Sequence, residues 1–106
     1  MTTIQVFRDG KSISRFTVEG HSGYGVEGSD IVCASVSAVV WSTINGLTSV
    51  AGIEAEYEMQ DGYVACNIPP LSEEERRQAD LLLESMVAFF HSLEAQYAEF
   101  VCITEV

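Results

Sequence analysis

Basic side chains are scarce in this chain. Five Lys and Arg stand against 16 Asp and Glu, a net charge of -11 over 106 residues. Such a surface repels a phosphate backbone, so direct nucleic-acid binding is not expected. The imbalance is concentrated in the second half: residues 1–52 hold three basic and four acidic side chains, residues 53–106 two and twelve. A basic protein or peptide matches that surface, although on charge alone solubility is the simpler account. Cysteine is sparse too. Cys33, Cys66 and Cys102 make an odd count with no C-x-x-C, which argues against a disulfide framework or a zinc ribbon and suits a reducing compartment. No run of about eighteen apolar residues is present, so no membrane span is expected. The opening "MTTIQVFRDG" has neither a basic n-region nor an apolar h-region, so no signal peptide is read and a cytoplasmic location is expected.

What is present is a composition able to build a core. Hydrophobic residues make up 47% of the chain, enough for one domain over residues 1–106. Thr2 to Arg8 alternates as a strand, Asp9-Gly10 signals a two-residue type I′ hairpin, and Lys11 to Glu19 returns with Ile13, Phe16 and Val18 as core candidates. Ile31 to about Val50 reads as a helix with hardly any polar face, to be buried centrally or covered on one side by a second subunit. Ser29 and Asp30 are candidate N-caps for it. Ile53 to Gln60 alternates again, with Glu54, Glu56 and Glu58 pointing one way and Ile53, Ala55, Tyr57 and Met59 the other. Asp61-Gly62 repeats the hairpin signal, Tyr63 to Ile68 returns and Pro69-Pro70 ends the strand. Ser72-x-x-Glu75 is a capping box that opens a second helix to about Ala95, its stripe running from Ala79 to Leu93. Phe100 to Glu105 closes as a strand. The order ββαββαβ predicts an α+β fold: a mixed, mainly antiparallel sheet packed with two helices.

The chemistry-bearing stretch is "GHSGYGVEGSDIVCASVS", Gly20 to Ser37. Gly23 to Gly28 fits G-x-G-x-x-G, but an antiparallel hairpin precedes it and Glu27 and Asp30 stand where pyrophosphate would lie, so a dinucleotide loop is a poor reading. A metal site is poor as well. His21 and Cys33 make two ligands where zinc takes about four. Cys66 and Cys102 read as small core residues, and His91, at the end of the second helix, reads as a surface or capping residue. No metal and no cofactor are expected. A Cys/His pair has more physical support. Cys33 falls in the first turn of the predicted helix, where free N–H groups and the helix dipole favour a thiolate. Gly20, Gly23, Gly25 and Gly28 let the loop fold back, so that His21 can serve as the base. Asp30 caps the helix and can orient His21. Ser37, one turn beyond Cys33, can hydrogen-bond the sulfur or a substrate. N–H groups around Cys33 can supply an oxyanion hole. Set against this, Cys33 as a buried helix cysteine and His21 as a polar loop residue remain open from the chemistry alone.

Gly20-His21, the glycine-bearing loop with Tyr24 and Gly28, Asp30-Ile31-Val32-Cys33-Ala34 and Ser37 together resemble the signature of the ribosomal-processing cysteine proteases. The resemblance extends over nearly the whole chain, including both hairpins, the Leu-rich second helix and the closing "QYAEFVCITEV". It implies a homodimeric Cys/His-dyad endopeptidase that removes an N-terminal extension from large-subunit ribosomal protein number twenty-seven, cutting after an aromatic-containing motif. By position His21 would be the general base and Cys33 the nucleophile, with Asp30 and Ser37 supporting. The glycine loop would be mobile when empty and close over bound peptide. A basic ribosomal protein as substrate agrees with the acidic chain. The rival expectation is a non-catalytic ribosome-assembly or protein-binding module in which the loop is a recognition element and Cys33 is core. A thiol-redox enzyme is a weaker third, because no resolving cysteine is near in sequence.

Overall fold

The computed structural model describes residues 1–20 and 29–106. Strands β1 (Thr2–Asp9) and β2 (Ser12–Glu19) form the first hairpin. Helix α1 (Ser29–Asn45) follows and runs directly into a π-helical turn, Gly46–Val50. Strands β3 (Glu56–Gln60) and β4 (Tyr63–Asn67) form the second hairpin, α2 spans Glu73–Gln96, and β5 spans Val101–Glu105. The predicted α+β class and element order are therefore the observed ones. The sheet order is β3-β4-β2-β1-β5. All neighbours are antiparallel except β1 and β5, which pair in parallel.

One face of the sheet carries the core. Ile4, Val6, Phe16, Val18, Cys66, Val101 and Ile103 are buried and register with one another across the strands. Ile13 and Phe16 are three residues apart yet both buried, which a regular strand forbids. A bulge resolves the conflict: Phe7 pairs with Arg15 and Arg8 with Ile13, leaving Ser14 extra. The Ser14 hydroxyl donates to the Phe7 carbonyl at 3.2 Å, and the Ser14 carbonyl accepts from the Ile68 amide at 2.9 Å.

Neither hairpin is the type I′ turn that its Asp-Gly suggests. Asp9 pairs with Ser12, so the loop is Gly10-Lys11, with Gly10 at φ +65 in the first position, the sign pattern of type II′. In the second hairpin Gln60 pairs with Tyr63 and only Gly62 has positive φ, at +74. A type I′ turn needs positive φ at both central residues. Among the described residues only glycines adopt it, so each aspartate avoids the left-handed strain.

The two helices meet the sheet differently. In α1, Val32, Val36, Val40 and Ile44 are buried, with Leu47 continuing the stripe in the π turn. The opposite face is left open, with Ile31 56% exposed and Ala34, Ala38 and Ser42 also exposed. Of the two placements expected for this helix, central burial is the one corrected: within the chain only one face is buried. By length and composition Ile31–Val50 could cross a membrane; here it lies with that one face on the core. In α2, Ala79, Leu83, Met86, Val87, Phe90 and Leu93 are buried, whereas Phe89 of the predicted stripe is partly exposed. The capping box at Ser72 and Glu75 is formed in both directions. Strand β3 begins later than predicted, because Ile53 is committed elsewhere: it is buried, and its amide donates to the Leu47 carbonyl at 2.8 Å to close the π turn.

Candidate active site

A groove of about 280 Å³ lies between α1 and the edge of the sheet. From α1 it is lined by Cys33, Val36, Ser37, Val40 and Trp41. Opposite stand the ends of β1 and β2 (Thr2, Val18, Gly20) and the β3–β4 hairpin from Met59 to Val64. The local sequence explains the placement. Cys33, Ser37 and Trp41 recur every four residues, so they follow one another along the helix with a small rotation. The hairpin reaches the groove because β4 pairs with β2, and that places the Asp61-Gly62 tip beside the end of β2.

Gly20 is pinned rather than free. Its amide donates to the Gly62 carbonyl at 2.9 Å, and its φ is +90. A Cβ there would stand 2.6 Å from the Met1 carbonyl oxygen. Only glycine fits a left-handed backbone pressed so closely by another chain segment. The chain therefore leaves β2 at the wall of the groove, and His21 is the next residue in sequence.

Of the predicted site residues, the structure brings Cys33, Ser37 and Gly20 to one groove. His21, Gly23, Gly25 and Gly28 lie outside the described residues. Helix α1 starts at Ser29, so Asp30 lies in its first turn; the capping roles expected of Ser29 and Asp30 rest on side chains outside the described ones. Cys33 correspondingly opens the second turn. In a regular helix the free N–H groups belong to the first turn, upstream of the cysteine, and those are the donors available for an oxyanion.

The three thiols are in different states. Cys33 is half-buried on the groove. Cys66 is fully buried, and burial pushes its thiol up to about 11, only partly countered by Arg15. It is a core residue, as the sequence suggested. Cys102 is half-buried on β5 and does not line the groove. His91 is exposed, as read, but its partner is Glu105 of β5, 2.9 Å away, rather than the end of its own helix. Among the described residues no three His, Cys, Asp or Glu side chains gather as a metal site requires.

Sequence reasoning did not single out Trp41, Met59 or the Asp61-Gly62 tip as groove residues. Trp41 was read only as part of an apolar helix. The hairpin tip was read only as a turn, because strand neighbours cannot be ordered from alternation alone.

Comparison with known proteins agrees with this arrangement. The sequence profile of the family described as Cysteine protease Prp matches residues 1–102. The Ribosomal processing cysteine protease Prp of Bacillus subtilis is 33% identical over 97 residues, covering 89% of this chain and 87% of the relative. Among solved structures, SMU.848 from Streptococcus mutans superposes with a TM-score of 0.89 at 26% identity, covering all of this chain and 94% of the other. The Prp protease of S. aureus, solved with a substrate peptide, superposes with a TM-score of 0.87 at 21% identity over the full length of both.

Proposed function

The chain belongs to the Prp family of cysteine proteases, and from that premise we propose that it is a cytoplasmic endopeptidase in which Cys33 is the nucleophile and His21 its general base. The single observation that carries the assignment is the position of Cys33, half-buried at the wall of an open groove that a peptide can enter. The alternative thiols are worse placed: Cys66 is fully buried and Cys102 does not line the groove.

The steps balance without a cofactor. His21 takes the Cys33 proton, and the sulfur attacks the scissile carbonyl carbon, forming a C–S bond and an oxyanion. Free N–H groups of the first turn of α1 stabilise that charge. The C–N bond breaks as His21 returns the proton to the leaving amine, giving a thioester. Water, deprotonated by His21, attacks the thioester, and the thiol is released. Asp30 and Ser37 support the pair, Ser37 from its place on the groove.

The substrate we assign is the N-terminal extension of large-subunit ribosomal protein number twenty-seven. The relatives' ribosomal processing role and a basic protein's attraction to a chain of net charge -11 support it. A homodimer is part of the same reading. The outward face of α1 (Ile31, Ala34, Ala38, Ser42) bears no charge in a strongly acidic chain. Two like-charged copies meet there with the least repulsion.

Wild type and Cys33→Ala are mixed separately with a synthetic peptide spanning the extension of the host's own ribosomal protein, and the products are weighed by mass spectrometry. One internal cut by wild type and none by the variant is expected. Binding of the peptide by both without any cut would replace the protease by a peptide-binding module. Iodoacetamide supplies a second check: it should modify Cys33 ahead of Cys66 and Cys102.

A further inference from the structure

Trp41 carries the largest apolar side chain of the protein, yet it is 45% exposed, whereas Phe16 and Phe90 are fully buried. Tyr57, on the edge strand β3, is 49% exposed. The two rings meet edge to face, with centroids 6.4 Å apart and planes at 75°. Each therefore holds the other in place while leaving ring surface uncovered. Trp41 also lines the groove that holds Cys33, and so does Met59, two residues along β3 from Tyr57 and on the same side of that strand. The side chains of Glu56 and Glu58 alternate to the other side. Glu56 and Glu58 do not line the groove; Gln60 and Asp61 do, toward the hairpin tip, while Trp41 and Met59 make the end beside Tyr57 aromatic and flexible-apolar.

Its distance from the nucleophile follows from helix geometry. Cys33 and Trp41 are eight residues apart on α1, a rise of about 12 Å at ~1.5 Å per residue. An extended peptide covers that distance in about three to four residues at ~3.3 Å each. We propose that Trp41 and Tyr57 form a distal subsite that reads one large apolar side chain three or four residues from the scissile bond. The inference rests on the reading of this groove as the protease's substrate channel. It assigns the exposed pair to the substrate rather than to a second copy of the chain, because Trp41 lies on the Cys33–Ser37 line of α1 and faces the groove.

The test is a set of quenched fluorescent peptides built on the host's extension sequence, with the third and fourth residues on each side of the cut replaced in turn by Ala, Phe or Lys. Each is assayed with wild type, Trp41→Ala and Trp41→Phe, the thermal melt serving as a control for folding. For wild type, one of these positions should show a kcat/KM about 10- to 100-fold higher with Phe than with Ala, the range expected for a filled apolar pocket. Trp41→Ala should reduce that preference to within about 3-fold, and Trp41→Phe should largely keep it. Lys at the same position should behave as Ala does. The responding position also tells which side of the cut lies toward Trp41. A preference unchanged in Trp41→Ala, a uniform loss across all peptides, a Lys peptide cut as well as the Phe peptide, or a loss that tracks dissociation of a dimer would each overturn the subsite. A wild type that cuts every peptide alike sinks the subsite only, whereas one that cuts none sinks the protease reading and the subsite with it.

Discussion

The two helices of this protein use opposite strategies. From Ile31 to Val50 no residue is charged, and β-branched residues that disfavour helix are frequent. Helix α2, by contrast, opens on Ser72 with a complete capping box, carries Glu73, Glu74 and Glu75 at its positive end, and buries a regular stripe. Its outer face is tied down by ion pairs: Arg8 bridges Glu84 and Glu105 at 2.7 and 2.6 Å, and His91 meets Glu105. Helix α2 adds these local signals to its buried stripe. Helix α1 rests on the core beneath it, and its groove side carries Cys33, Ser37 and Trp41. The contrast teaches that a residue's burial, rather than its hydrophobicity, separates scaffold from site here. Both helices are apolar where they touch the core; off the core α1 carries no charge from Ile31 onward, whereas α2 mixes Leu81 and Phe89 with charged side chains.

The comparison is broken most sharply at the core of α2. Phe90 is fully buried, so Phe90→Ala should cost about 3–5 kcal/mol. Because Phe90 does not line the groove, the molecules that remain folded should cut peptide at the wild-type rate. Cys33→Ala should do the reverse, abolishing cleavage while changing the unfolding free energy from urea denaturation by less than about 1 kcal/mol, as expected for one small half-buried side chain. Denaturation curves and activity per folded molecule, measured on both variants, read this out. If Phe90→Ala also lowered activity per folded molecule, α2 would be more than scaffold.

A smaller effect is expected at Ser72. Its side chain accepts from the Glu75 amide at 3.2 Å, and its own amide donates to the Glu75 carboxylate at 3.1 Å. Ser72→Ala should cost about 1 kcal/mol, lowering Tm by about 4–8 °C for a domain of this size. Helix α1 begins at Ser29, next to residues outside the described ones, so its opening shows no cap that matches Ser72.

That difference also marks how far the sequence can be read. Local signals were sufficient wherever the structure is local. The capping box, both hairpins and most of the α2 stripe are found where periodicity and turn chemistry put them, while Phe89 is partly exposed, β3 starts three residues late and Ile13 is buried only through the bulge at Ser14. Turn type was missed, because Asp-Gly marks a turn without saying which of the two residues takes positive φ. The π turn after Asn45 was missed too, since it depends on Ile53 folding back to cap Leu47. Cys33, the nucleophile proposed above, is legible as a candidate from its helix and the histidine loop before it. The groove was not, because it joins Trp41 to Met59 and Gly20 to Gly62 through the order β3-β4-β2. Alternation shows which face of a strand is buried and says nothing about its neighbour.

The least effect lies in the ties that hold α2 to β5, and it is one of charge. Glu105 is held below its ordinary value of about 4.5, first by the hydrogen bond with His91 and then by that with Arg8. A carboxylate depressed in the folded state adds stability above its unfolded value, and that stability is lost as pH falls through the folded value. Glu105→Gln cannot ionise, so it should be less stable than wild type at neutral pH, by less than about 1 kcal/mol given the pair's exposure. The gap should close as pH falls from about 5 toward 3, where wild type loses the same contribution by protonation. Glu84 keeps its hydrogen bonds with Arg8 in the variant, so the gap reports the loss of the Glu105 charge, including the small relief of its repulsion with Glu84. Urea midpoints for both proteins at pH 7, 5, 4 and 3 measure it. A gap that stays constant across that range would mean that Glu105 holds α2 to β5 through packing and neutral hydrogen bonds, and that the two helices differ in their caps and buried faces but not in surface charge.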